Sequence, residues 1–277
     1  MNDLSKAPGL TVDIPAIRYE SGHAKPMDVP VAAEIPYTLF VNDREILSIS
    51  TLPCNLKELF VGFLVSEGVL LARNEILTCH VDHPGKIVMM ELDVPDTRLG
   101  RIEERGMLTS GCAGGMVFSV MTDPGPPRQT TVRPGVPARS IVARMGELDK
   151  YQGIYRVTRG VHGASLATRD KTLVILEDLG RHNAVDKIVG HCFLEGIETS
   201  DKLLLTTGRV TSEVLTKASH GGFPLVISRS SASAMALHLA RQFSIDVATY
   251  VRAGRFNYFA NGGAELVVEE DLGTVSE

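Results

Sequence analysis

Hydrophobic and polar positions change their rhythm about halfway along the chain. In the first half, residues 37–41 and 46–49 are apolar-rich runs flanking Asn42-Asp43, a pairing that predicts a β-hairpin. Asn55 then stands as an N-cap with Glu58 three residues on. Leu56, Leu59, Phe60, Phe63 and Leu64 follow at helical spacing until Gly68, predicting the first core helix. Residues 87–94 are a further strand candidate. Residues 1–30 are polar, contain Gly and Pro and keep no sustained period, so they read as a frayed or peripheral segment with order beginning near Val31.

Pro124, Pro126, Pro127, Pro134 and Pro137 exclude helix interiors and most central strands, marking an interdomain crossing. Beyond it, short apolar runs (173–176, 203–207, 225–227, 245–250) alternate with helical stretches (184–191, 214–219, 232–243), which predicts βαβ units and a mainly parallel sheet covered by helices. The expected organisation is a peripheral segment at 1–30, a smaller N-terminal α+β subdomain at 31–122, a Pro-rich crossing at 123–138 and a larger α/β domain at 139–277. In such sheets ligands sit beyond the carboxyl ends of the strands.

Composition adds limits. With 277 residues, 44% hydrophobic and 22% charged, the chain is neither disordered nor fibrous. A net charge of -5 gives no global attraction to nucleic acid or to an anionic membrane, so a polyanionic ligand must be held by local basic groups. No basic, then apolar, secretory pattern opens the chain. The most apolar window, residues 59–71, is broken by Ser66, Glu67 and Gly68 and is shorter than the roughly 20 residues a membrane span needs. A soluble cytoplasmic protein is expected. Its four cysteines, Cys54, Cys79, Cys112 and Cys192, form no CxxC pair, which suits neither a disulfide framework nor a zinc ribbon.

Local sequence separates Cys112 from the other thiols. In Ser110-Gly111-Cys112-Ala113-Gly114-Gly115 three glycines and an alanine leave the sulfur little shielded, and backbone amides aimed at it would favour the thiolate that accepts sulfur from a persulfide. The alternative is a tight turn in which the cysteine is incidental. A second cluster runs Glu177-Asp178-Leu179-Gly180-Arg181-His182-Asn183-Ala184-Val185-Asp186-Lys187, a strand end, glycine turn and helix opening. There Arg181 and His182 could meet an anion, or Glu177, Asp178 and Arg181 could form a salt-bridged cap. Arg209 after Gly208, with Arg252 and Arg255 around Gly254, are placed at strand ends, where guanidinium groups bind phosphates. His162, between small residues, is a candidate proton donor or a satisfied core histidine. None of the eight histidines is followed two residues on by Glu, and Pro53-Cys54 lacks a second cysteine, so zinc deaminase chemistry is rejected.

Taken in order, the Gly111-Cys112 loop, Gly160-Val161-His162-Gly163-Ala164, the Glu177 to Lys187 string, Gly208-Arg209 and Tyr250-Val251-Arg252-Ala253-Gly254-Arg255 resemble the formate dehydrogenase accessory sulfurtransferase family of the FdhD type, over roughly residues 31–262. The resemblance implies a cytidine deaminase-like three-layer fold in the larger domain. It also implies a sulfur carrier that accepts persulfide sulfur from a cysteine desulfurase on Cys112 and delivers it to the molybdenum or tungsten bis-pterin guanine dinucleotide cofactor, Mo-bis(molybdopterin guanine dinucleotide), for the formate dehydrogenase apoenzyme. By the same resemblance, Tyr250, Val251, Arg252, Ala253, Gly254 and Arg255 bind that cofactor, no intrinsic metal is held, and the protein is a homodimer. Two positions depart from the family pattern: Gly115 stands where many members have a second cysteine, and Arg159 where many have glycine. The lost cysteine keeps a second reading open, a cofactor-binding chaperone without sulfur chemistry.

Overall fold

The computed structural model describes residues 9–100, 135–263 and 265–268. It is a mixed α/β structure with several sheets. Strands β1 (Thr11–Glu20) and β2 (His23–Ala32) form an antiparallel ribbon. β3 (Ile35–Val41), β4 (Arg44–Thr51), β5 (Ile76–Asp82) and β6 (Ile87–Leu92) form a four-stranded sheet in the order β4-β3-β6-β5. A two-stranded contact joins β7 (Val136–Pro137) to β14 (Leu266–Val267). The largest sheet has the order β13-β12-β11-β10-β8-β9, from β8 (His162–Ala167), β9 (Thr172–Asp178), β10 (Leu203–Thr206), β11 (Leu225–Ser228), β12 (Asp246–Arg252) and β13 (Arg255–Phe259).

The hairpin at Asn42-Asp43 forms as its sequence predicts, with both turn residues at positive φ. The helix α1 (Leu56–Ser66) also forms, and Gly68 at φ 71 ends it. Its cap differs from expectation. Asn55 lies in the left-handed region at φ 52, so its side chain caps no backbone N–H and instead donates to Glu58 Oε1 at 3.3 Å.

Two further expectations are corrected. Order begins well before Val31: in the ribbon β1–β2, Val12, Ile14 and Ala16 pair with Val31, Val29 and Met27. This is alternation that Pro15, Pro26 and Pro30 conceal in the sequence, and proline is tolerated because both strands are edges. The large sheet is not mainly parallel, since β11 lies parallel to β10 and β12 while β8–β9, β8–β10 and β12–β13 are antiparallel. Apolar runs alternating with helices look the same whether neighbouring strands are joined by a helix or by a turn. Here Thr168–Lys171 and Ala253-Gly254 are the turns that reverse the chain.

Within that sheet the strands alternate in register with two cores. Leu203, Leu205, Leu225, Ile227 and Ala248 pack with Ile141, Met145 and Leu148 of α2 (Ala138–Asp149). Leu204, Val226 and Val247 point the other way. They join a core with α1, α4 (Arg181–Glu195), α5 (Ser212–His220) and α6 (Ala234–Gln242), together with Tyr37, Leu39 and Val88 of the smaller sheet. A short helix, α3 (Ile154–Thr158), follows α2. One continuous core thus serves both halves of the described chain, and α1 joins them by lying against α4.

That crossing is backbone against backbone. A Cβ on Gly62 would lie 1.8 Å from Asp186 O, and one on Gly190 would lie 1.9 Å from Glu58 O. No side-chain movement relieves a clash with a helical carbonyl. Gly190→Val is therefore expected to lower the urea midpoint of unfolding by the equivalent of about 3 kcal/mol or more, the upper end of overpacking costs; a midpoint equal to that of the native chain would contradict the packing described.

Candidate functional site

The parallel strands β10, β11 and β12 all end on one edge of the large sheet. β8 starts there because it runs antiparallel to β10, and β9 ends there because Asp178 pairs with His162. The loops beyond these ends are stitched into a row. Thr207 N–H donates to Gly163 O at 2.9 Å, Arg229 N–H to Thr206 O at 3.1 Å, and Tyr250 N–H to Ser230 O at 2.9 Å. Hydroxyls reinforce it: Thr206 Oγ1 accepts from Gly208 N–H at 3.1 Å, and Ser228 Oγ donates to Gly208 O at 2.7 Å. Helices α4, α5 and α6 start beside the same edge. The edge gathers His162, Arg181, His182, Gly208, Arg209 and residues 250–255, which stand far apart in the sequence.

The Glu177 to Lys187 string divides into a buried framework and two residues that face the edge. Asp178 and Lys187 are fully buried, with Lys187 Nζ 2.6 Å from Asp178 Oδ2. Lys187 also donates to Glu177 O at 3.1 Å, and Asn183 Nδ2 donates to Asp178 Oδ1 at 2.9 Å. Glu177 accepts the N–H groups of Ile154 at 2.6 Å and Tyr155 at 3.1 Å, holding the first turn of α3. Asp186 is paired with Lys217 at 2.8 Å and accepts from Ser66 Oγ at 2.8 Å. The salt-bridged cap of Glu177, Asp178 and Arg181 does not form. Asp178 is taken by Lys187, and Arg181 has no carboxylate partner among the described residues.

Arg181 and His182 open α4 where its N-cap, Gly180, offers no capping side chain. His182 Nε2 lies 3.2 Å from Thr211 Oγ1 and 3.3 Å from Glu213 Oε2. Burial, reinforced by the charges of Arg181 and Lys217 and by His162, pushes the His182 imidazole down to about 3. His162 Nδ1 lies 3.3 Å from Thr207 Oγ1, and burial followed by the Arg181 charge lowers it too. Glu213 is moved up, mainly by burial. Two neutral imidazoles thus flank one guanidinium.

At the other end of the row, residues 250–255 form the β12–β13 turn. Tyr250 adopts φ 55 at an irregularity in the β12–β13 register and turns outward while Val251 stays buried. Ala253 at φ 49 and Gly254 at φ 75 supply the two positive-φ residues of a tight hairpin turn. Arg252 lies 5.9 Å over the Tyr250 ring, and Arg252 and Arg255 are both exposed, as is Arg209.

Sequence reasoning missed the parts played by Thr207, Thr211, Glu213, Ser228 and Ser230. Only Thr211 carried a local signal, as the residue that caps Val214 N–H at the start of α5. Cys112 and Gly115 lie outside the described residues. The other three thiols are raised by burial, Cys192 to about 12, and Lys187 at 3.9 Å from Cys54 only partly offsets that effect. Among the described residues no group of three or more His, Cys, Asp or Glu could hold a metal ion, and no helix is long and apolar enough to cross a membrane.

Because His182 is held neutral in the fold, the unfolded chain binds more protons between an ordinary imidazole value of about 6.5 and the folded value of about 3. Stability present above the unfolded value is therefore lost as pH falls through that window, by up to about 1.4 kcal/mol per pH unit from this group. Urea unfolding at near-neutral and at mildly acidic pH is expected to give a smaller difference for His182→Gln than for the native chain; an identical difference would mean that His182 is not buried neutral.

Comparison with known proteins follows the same lines. The profile of the FdhD/NarQ family matches residues 32–265. A protein of Bacillus subtilis (strain 168) named sulfur carrier protein FdhD is 32% identical over 244 residues, covering 88% of this chain and 93% of that protein. A protein of Shouchella clausii with the same name is 33% identical over 247 residues, covering 87% and 92%. Among solved structures, one described as a formate dehydrogenase accessory protein, from Desulfotalea psychrophila, superimposes with a TM-score of 0.75 at 29% identity, over 93% of this chain and all of that one. The match spans every strand of the edge just described, and the chain belongs to the FdhD/NarQ family.

Proposed function

We propose that this protein is a sulfur carrier for formate dehydrogenase maturation, with Cys112 as the thiol that bears the sulfur. The observation that carries the reading is the state of the other three cysteines: each is at least half-buried and its thiol is raised by burial, so each is a poor nucleophile near neutral pH. Cys112, outside the described residues, is the thiol that its run of small residues marks in the sequence. Relatives named as sulfur carriers supply the chemistry to which it fits.

In this reading the Cys112 thiolate attacks the outer sulfur of a cysteine desulfurase persulfide. The donor's S–S bond breaks as a new one forms, the donor leaves as thiolate, and Cys112 becomes the persulfide. The outer sulfur would then pass to a molybdenum or tungsten bis-pterin guanine dinucleotide destined for the formate dehydrogenase apoenzyme, the Cys112 S–S bond breaking with Cys112 leaving as thiolate, and the reduced metal of that cargo supplying the two electrons that bring the sulfur to sulfide. Residues 250–255 hold that cargo's nucleotide: the turn puts Arg252, Arg255 and the outward Tyr250 ring together at a strand end. The large sheet between α2 and helices α4 to α6 is, on this reading, of the cytidine deaminase-like three-layer type, and the working form is a cytoplasmic homodimer. Gly115 leaves Cys112 without a partner thiol three residues on. The carrier then works as a single cysteine, with no disulfide resting form in its own loop.

Incubation with a cysteine desulfurase and cysteine, followed by intact-mass analysis, is expected to add sulfur to the native chain and none to Cys112→Ala. An equal gain in both would remove Cys112 from the mechanism. Restoration of formate dehydrogenase activity by Cys112→Ser would favour the cofactor-binding chaperone instead, since a chaperone needs no thiol.

A further inference from the structure

Reading residues 250–255 as a nucleotide site leaves the other end of the same edge, around Arg181, without a ligand. The Arg181 stem lies flat on Gly208, where a Cβ would come within 2.6 Å of Arg181 Cβ and 3.0 Å of Cδ. That contact fixes where the guanidinium can go. Its Nε is fully buried and makes no hydrogen bond, and among the described residues no carboxylate pairs with the group. Glu213, a carboxylate on which the Arg181 charge acts weakly, lies 3.3 Å from His182.

The buried Nε of this half-buried cation is short of an acceptor. Around it stand the Thr207 hydroxyl beside His162, the Thr211 hydroxyl beside His182, and the first turn of the fifteen-residue helix α4, whose N-cap Gly180 has no side chain to occupy those amides. Both imidazoles are neutral, so neither competes as a counter-charge; the N–H of His182 faces Glu213 and Thr211, which leaves the Thr211 hydroxyl and the His162–Thr207 pair as donors. Hydroxyls and helix amides beside a guanidinium are donors that suit an oxyanion, and the guanidinium fork matches one bidentately.

We infer that Arg181, with His162, His182, Thr207 and Thr211 around it, forms a phosphate-binding site, taking the phosphate or diphosphate of a nucleotide. The identity of that nucleotide with the proposed cargo rests on the reading of residues 250–255, whereas the oxyanion site does not. Gly208 at the end of β10 is two strands from β12, about 10 Å along the edge at the usual strand spacing. One extended dinucleotide therefore reaches both ends of the row. In that arrangement Arg181 reads the phosphates and the β12–β13 turn reads the nucleoside.

Calorimetric titration of the full chain with pyrophosphate tests the site without assuming the cargo. The native chain is expected to bind it, Arg181→Gln to bind it about tenfold more weakly or worse, and Arg181→Lys to fall between, keeping the charge and losing the fork. No binding by the native chain, or equal affinity for the native chain and Arg181→Gln, overturns the proposal. Should Arg181→Gln fail to fold, the native chain supplies the decisive readout: pyrophosphate is expected to shift the imidazole nitrogen resonances of His162 and His182, and unmoved resonances overturn the site. Guanosine and guanosine diphosphate separate this inference from the reading it extends. Pyrophosphate and guanosine diphosphate bound equally tightly, with guanosine unbound, means that the reading of residues 250–255 fails and the oxyanion site stands. Guanosine bound as tightly as the diphosphate, in native chain and Arg181→Gln alike, means the reverse.

Discussion

The ion pair between Lys187 and Asp178 fixes the geometry on which the rest of the edge depends. Neither side chain reaches solvent, and such a pair persists only where each remaining donor and acceptor is used. Here they are. Lys187 gives a second hydrogen bond to Glu177 O, and Asp178 takes others from Asn183 and from Thr51 Oγ1. The pair thereby ties the end of β9 to the second turn of α4, and both to the end of β4 in the other half of the molecule. Asn183 extends the tie by donating to Ser50 O at 3.0 Å. Removing either partner of such a pair leaves a buried uncompensated charge, a loss of about 3–5 kcal/mol. It would also release the strand-to-helix turn that carries Arg181 and His182.

This framework explains why the Glu177 to Lys187 string looked like chemistry in the sequence and is mostly architecture in the structure. Acids and bases one helical turn or more apart can pair with each other or serve a ligand, and the sequence does not say which. The α/β alternation of the second half was legible because buried strands and amphipathic helices leave different periods. Strand direction was not, because it depends on whether a connection is a helix or a turn of a few residues. The ribbon at residues 11–32 was hidden for another reason: its alternation survives, but prolines interrupt it at positions that only an unpaired edge tolerates.

At the site the same division holds. Arg181, His182, His162 and residues 250–255 were legible because glycine and charge stand together at strand ends. The partners that give them their properties were not. Glu213 and Thr211 come from the start of the next helix, and nothing in their spacing from His182, 31 and 29 residues on, announces that they meet it. The packing of Arg181 on Gly208 is likewise a contact between separate strand-ends. The side chain that Gly208 lacks leaves room against the backbone, and the structure fills that room with the stem of an arginine.

On the functional reading proposed, the two ends of the edge would attract an anion by different physics. Arg252 and Arg255 are exposed, so their attraction for a ligand is screened by water and salt and gains its direction from the turn that holds them. Tyr250 accepts a left-handed backbone to stand beside them, a conformation costly for a bulky residue and maintained by its N–H bond to Ser230 O. Arg181 is half-buried, flanked by imidazoles that burial keeps uncharged, and its field is correspondingly less screened. An exposed, flexible pair captures over distance; a half-buried group with fixed neighbours selects by geometry. A row of loops bonded strand to strand keeps the two at a constant separation, which a single long ligand requires and two unrelated ligands would not.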